Sequence, residues 1–127
     1  MKTVLIITDE SVESAKMADA IKAALEDNKV SIKSAANFQG TDILLADVFF
    51  LGCESPNPAS FSYLTDLFKH ISLAGRSCGV FSPGSEKAAK YLAGLVKDCE
   101  AALNPTHITE HNKKIAKWAK AVVSGKF

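Results

Sequence analysis

Asp9, Glu10 and Glu13 stand among Thr8, Ser11 and Ser14 in the stretch Thr8-Asp9-Glu10-Ser11-Val12-Glu13-Ser14. The hydroxyls can donate to phosphate oxygens, whereas the carboxylates repel phosphate and suit a hard cation. The stretch follows the apolar run Val4-Leu5-Ile6-Ile7 and leads into a helical pattern. A strand that hands over to a helix through a short polar loop presents free N–H groups and the positive end of a helix dipole to an anion. The loop has no glycine, however, and carries three carboxylates. It has the position of a phosphate cradle and the wrong charge for a phosphate.

Two further loops should share that end of the molecule. Cys53-Glu54-Ser55-Pro56-Asn57-Pro58 breaks the chain after the buried run Asp47-Val48-Phe49-Phe50-Leu51-Gly52, because two prolines cannot continue a ladder. Ser82-Pro83-Gly84-Ser85 follows a third run, Ser77 to Phe81.

The elements that position these loops follow from periodicity. Lys2 to Thr8 reads as a strand buried on both faces, and Ser11 to Asp27 as a helix with Ala15, Ala18, Ile21, Ala24 and Leu25 inward. Lys29 to Ser34 alternates as a strand. Thr41 to Ala46 reads as a brief helix capped by Thr41, and Ala59 to Ser72 as a helix with the stripe Phe61, Leu64, Leu67, Phe68 and Ile71. Glu86 to Cys99 is a helix, Ala101 to His107 an edge strand, and Thr109 caps a last helix that reaches Val123, with Trp118 on its apolar stripe. Strictly alternating strands and helices predict an α/β fold: a doubly wound parallel sheet with helices on both faces and ligands at the carboxyl ends of the strands.

With 127 residues the chain makes one domain, and its 15 basic and 14 acidic side chains nearly cancel. No broad field recommends nucleic acid or an anionic membrane as a partner. The lysines from Lys113 to Lys126 are the one basic bias, read as a solvated helix face with cations near the helix C-terminus. No apolar run approaches the roughly 20 residues of a bilayer span, and the N-terminus does not read as a secretory signal. Cys53, Cys78 and Cys99 are unevenly spaced without a Cys-x-x-Cys pair, which points to a reduced, cytoplasmic chain rather than a disulfide framework or a zinc site.

In the order, length and spacing of these elements the chain resembles the flavodoxin family along nearly its whole length. The segments that carry the resemblance are Ile7 to Ala18 and Leu45-Ala46-Asp47-Val48-Phe49-Phe50-Leu51-Gly52. The first lies where flavodoxins have Ser/Thr-x-Thr-Gly-x-Thr around the FMN phosphate, and the second where they have an Ala-Asp-apolar-Gly strand. The resemblance implies a single flavodoxin-like domain over 1–127, five strands in the order 2-1-3-4-5, FMN as cofactor, and a redox partner. The cofactor contacts it implies are Thr8, Asp9, Glu10, Ser11, Val12, Glu13 and Ser14, with Cys53, Glu54, Ser55, Ser82, Pro83 and Gly84 from the later loops.

This sequence departs from the family pattern at the phosphate and at the ring. Ser11 and Ser14 keep two hydroxyls, Val12 replaces glycine, and Asp9, Glu10 and Glu13 replace hydroxyl or amide positions. The acids could fill the helix N-terminus themselves. The later loops hold no Phe, Tyr or Trp to sandwich an isoalloxazine. The reading preferred from sequence is therefore a flavodoxin-like domain with a degenerate flavin site, acting as a non-catalytic binding or interaction module with a protein partner. The first alternative is an FMN-binding electron carrier. A second is a metal-dependent switch of the receiver type, with a divalent ion at Asp9, Glu10 and Glu54, although Gly52 stands where receiver domains need an aspartate. His107-Ile108-Thr109-Glu110-His111 matches a zinc-peptidase pattern, but Pro105 and the cap at Thr109 place a strand-to-helix junction inside it. Cys53 reads as a thiol at the site rim whose pKa Glu54 would raise.

Overall fold

The computed structural model describes residues 1–127 and contains one parallel sheet in the order β2-β1-β3-β4-β5. The strands are β1 (Thr3–Thr8), β2 (Lys29–Ser34), β3 (Val48–Gly52), β4 (Ser77–Phe81) and β5 (Ala102–Leu103). The helices are α1 (Val12–Ala24), α2 (Gly40–Leu44), α3 (Ser62–Phe68), α4 (Glu86–Asp98) and α5 (Lys114–Ser124). No helix is long and apolar enough to cross a membrane.

Period-two alternation divides the strand side chains between two cores. Leu5, Ile7, Phe49, Leu51, Cys78 and Val80 pack with α2, α3 and α4, while Val4, Ile6, Val48, Phe50 and Phe81 pack with α1 and α5. The central strands β1, β3 and β4 are buried almost throughout, which is why they read as continuous apolar runs. Edge strand β2 turns Lys29, Ser31 and Lys33 outward, and the opposite edge, β5, is two residues long with Pro105 just beyond it.

Two glycines allow close approach. A Cβ at Gly79 would lie 2.8 Å from Trp118 and 2.9 Å from Val122, so its absence lets α5 settle on β4. At Gly52 the Phe81 ring covers the end of β3, 2.1 Å from where a Cβ would stand.

Several helix boundaries differ from the sequence expectation. In α1 the buried residues are Ser14, Met17, Ala18 and Ile21, with Ala15 exposed, so the inward face is rotated toward Ser14. Helix α2 is capped by Gln39 and Asp42 in a reciprocal capping box rather than by Thr41. The stretch expected as one helix from Ala59 is a 3₁₀ turn, Ala59–Phe61, followed by the short α3. The predicted strand over Ala101 to His107 contracts to β5, after which Ile108 forms a single bridge to Phe81.

Thr109 does not cap α5. Its carbonyl accepts from Gly84, and the Trp118 indole N–H donates to the Thr106 carbonyl at 2.7 Å, so 104–109 runs along the end of β4 and the helix begins at Lys114. Lys113 and Lys114 therefore stand at the start of α5, where the helix dipole disfavours cations, not near its C-terminus.

Candidate functional site

The ends of β1 and β3 are adjacent, with Thr8 in register with Gly52. The Asp9 N–H donates to the Gly52 carbonyl at 3.2 Å, so the loops leaving these strands start from a shared bond. Glu10 takes a left-handed backbone, φ 66°, and its N–H donates to Thr8 Oγ1. That turn folds the Asp9 side chain back over the loop. One carboxylate oxygen accepts from the Ser11 N–H at 3.2 Å and from the Ser11 hydroxyl at 2.8 Å, and the other accepts from the Glu54 N–H at 2.9 Å. Asp9 thus joins the 8–14 loop to the 53–58 loop.

The start of α1 is left open. The first helical bond runs from the Ala15 N–H to the Ser11 carbonyl, Ser11 makes no side-chain cap, and the N–H groups of Val12, Glu13 and Ser14 have no protein acceptor. Ser14 is fully buried and its Oγ has no hydrogen-bond partner. A buried hydroxyl without a partner costs about 1–3 kcal/mol, so an acceptor at this point would be stabilising. The acids expected at the helix N-terminus do not take the first-turn amides: Asp9 accepts from Ser11 and Glu54. Glu13 instead pairs with Lys16 at 3.2 Å on the exposed side, and Val12 is 69 % exposed in the place of the motif's glycine.

The third loop is placed differently from the first two. The Ser82 N–H donates to the Ile108 carbonyl and the Gly84 N–H to that of Thr109, while Ser85 caps α4 by accepting from the Ala88 N–H at 3.1 Å. Ser82 is fully buried and its Oγ also lacks a partner, and Pro83 and Gly84 turn the chain, with Gly84 at φ 68°. Glu54 and Ser55 are at least partly accessible, but Cys53 is fully buried, not at the rim. None of the four surface cavities is lined by a residue of the 8–14, 53–58 or 82–85 loops. No three His, Cys, Asp or Glu side chains gather at any point to hold a metal.

Burial, and then the negative charge of Asp9 rather than Glu54, pushes the Cys53 thiol up to about 12. Burial also raises Cys78 and Cys99. A thiol that is protonated in the folded chain is a poor nucleophile, so none of the three has the environment of a reactive cysteine. Each keeps its proton in the folded state at pH values where the unfolded chain, at its ordinary 9.0, has given it up. Their contribution to stability is therefore complete below the unfolded value and is lost as pH rises from there toward the folded values. The urea midpoint should stay level up to about pH 8 and fall beyond 9; a midpoint that rises there would contradict the buried, neutral thiols.

No protein-family model matches the chain, and no curated protein matches its sequence; the likeness is to solved structures. A short-chain flavodoxin associated with a PDU bacterial microcompartment superposes with a TM-score of 0.85 at 15 % identity, covering 98 % of both chains. Flavodoxin 1 of Bacillus cereus gives 0.83 at 19 % identity, again over 98 % of both. The chain has the flavodoxin fold. A Fusobacterium nucleatum flavodoxin bound to flavin mononucleotide gives 0.74 at 13 % identity over 98 % of both chains. The chain and each of these flavodoxins match almost end to end. The element sequence was visible in the sequence, and the order 2-1-3-4-5 is the one the resemblance implied; the tie from Asp9 to Glu54 was not visible, because it joins residues 45 positions apart.

Proposed function

We propose that this domain is a flavin-binding electron carrier of the flavodoxin type, which seats the FMN phosphate on the first turn of α1. The observation that carries the reading is the buried, unpartnered Ser14 hydroxyl beside the open N–H groups of Val12, Glu13 and Ser14. Together they form a donor set that lacks only an acceptor, at the helix end where an anion is favoured. The likeness to flavodoxins over the full length supports the same assignment.

In this reading Ser14 Oγ and the three N–H groups hold phosphate oxygens. Asp9 keeps Ser11 and the 53–58 loop in place and adds no donor of its own. When bound, the flavin would supply reversible electron storage. The buried thiols take no part in redox chemistry, and retention is weak, since the later loops offer no aromatic side chain to stack on the ring. Fluorescence titration of the purified chain with FMN tests this: saturable quenching, lost in Ser14→Ala, is the expected result, and no quenching at millimolar FMN would reject it.

The Asp9 contacts favour a second reading. Its carboxylate already takes the N–H and hydroxyl of Ser11 and the N–H of Glu54, donors that a phosphate at this loop would otherwise receive. A domain so arranged would be a flavin-free interaction module. The same titration separates the two.

A further inference from the structure

Lys113, the cap residue of α5, and Lys114, Lys117 and Lys120 within its first seven residues all lie exposed. The chain's ion pairs, Lys16 with Glu13 and His107 with Glu86, leave all four without a carboxylate. Helix α5 has no acidic residue, and Lys113 and Lys114 stand at the end that the dipole makes positive. Lys113 and Lys117 are also spaced i, i+4, where like charges repel. For stability alone the arrangement is unfavourable, which points to an outside anion.

Beside these lysines runs a groove of about 420 Å³ between the 104–108 segment and α5. Ile108 and Trp118 form its apolar floor, with Asn104, Thr106, Lys114 and Lys117 around it. The Trp118 N–H is already bonded to Thr106, and the residue is only 6 % exposed, so no aromatic face is free to stack a nucleobase. A net charge of +1 likewise gives no general attraction to nucleic acid. A shallow apolar floor, made by the exposed edges of Ile108, Trp118 and Ala121, with a rim of one charge sign suits an acidic polypeptide.

We propose that this groove docks an acidic polypeptide segment, which sets an aliphatic side chain against Ile108 and Trp118 and carboxylates against Lys113, Lys114 and Lys117. The contact is small, and a weak, salt-sensitive, transient complex follows. The surface is formed by residues outside the candidate flavin site, so it does not depend on FMN binding.

The chain's one tryptophan is a built-in reporter. A capped Glu-Glu-Leu-Asp-Glu-Leu-Glu-Asp peptide should shift the indole N–H signal in a saturable titration followed by NMR, and added salt should weaken the effect. Lys114→Glu/Lys117→Glu should reduce affinity about tenfold or more while Tm holds or rises, because carboxylates suit the first turn of a helix. An indole signal unmoved at millimolar peptide would overturn the proposal. So would equal binding by the charge-reversed protein, equal binding of a peptide with Lys in place of its acids, or tighter binding of a single-stranded oligonucleotide or of anionic vesicles.

Discussion

Gly52→Ala should leave a protein that folds poorly or loses about 3 kcal/mol or more of stability, at the upper end for overpacked cores. The added Cβ would meet three atoms of the Phe81 ring at 2.1, 2.2 and 2.7 Å. Phe81 cannot turn away, because it is fully buried in the core formed with α1 and α5 and is paired in register with Gly52. Relief would require β3 and β4 to separate at the end that carries the Asp9 contacts. Equilibrium denaturation of the variant measures the loss, and Gly52→Ala/Phe81→Leu should recover part of it by removing the ring. Unchanged stability in Gly52→Ala alone would show that the contact between ring and strand is not as described.

Asp9→Ser should tighten FMN binding by about tenfold or more, equivalent to roughly 1.4 kcal/mol. In the proposed binding mode the substitution would remove a carboxylate from beside the FMN phosphate, which carries close to two negative charges at neutral pH. It also releases the Ser11 N–H and hydroxyl and the Glu54 N–H, which Asp9 holds at 3.2, 2.8 and 2.9 Å. At an intermediate effective dielectric each nearby charge pair is worth roughly 1 kcal/mol or more, so repulsion alone reaches the expected size. Some stability should be lost in exchange, about 1.5–3 kcal/mol for hydrogen bonds to a charged group. Isothermal titration of the wild type, Asp9→Ser and Asp9→Asn measures both charge and hydroxyl effects. If neither variant gains affinity for FMN or for inorganic phosphate, Asp9 does not obstruct the anion.

The sequence disclosed the sheet because β1, β3 and β4 are runs of Val, Ile, Leu and Phe buried on both sides, a pattern that survives whatever the loops do. It misplaced the start of α5 because Thr109 has the residue type of a cap, while its carbonyl is bound to Gly84 and Trp118 holds Thr106 from the other side. Both contacts are tertiary and leave no local trace. The inward turn of Ser14 was hidden for a related reason: apolar periodicity selects Ala15, yet Met17, Ala18 and Ile21 set the buried face, and a small serine fits where that face reaches the loop. The sequence showed acids in the loop between β1 and α1, but not which donors they would take. That choice depends on the left-handed turn at Glu10 and on the approach of Glu54.

The two borders of the sheet differ in a way that bears on how the chain behaves when crowded. An open strand edge is a template on which further copies can add. At β2 such an addition would bring Lys29 and Lys33 of one copy against like charges on the next, and at β5 there are only two residues to pair before Pro105 ends the ladder. Both borders are therefore poor templates, which disfavours ribbon-like polymerisation from the folded state.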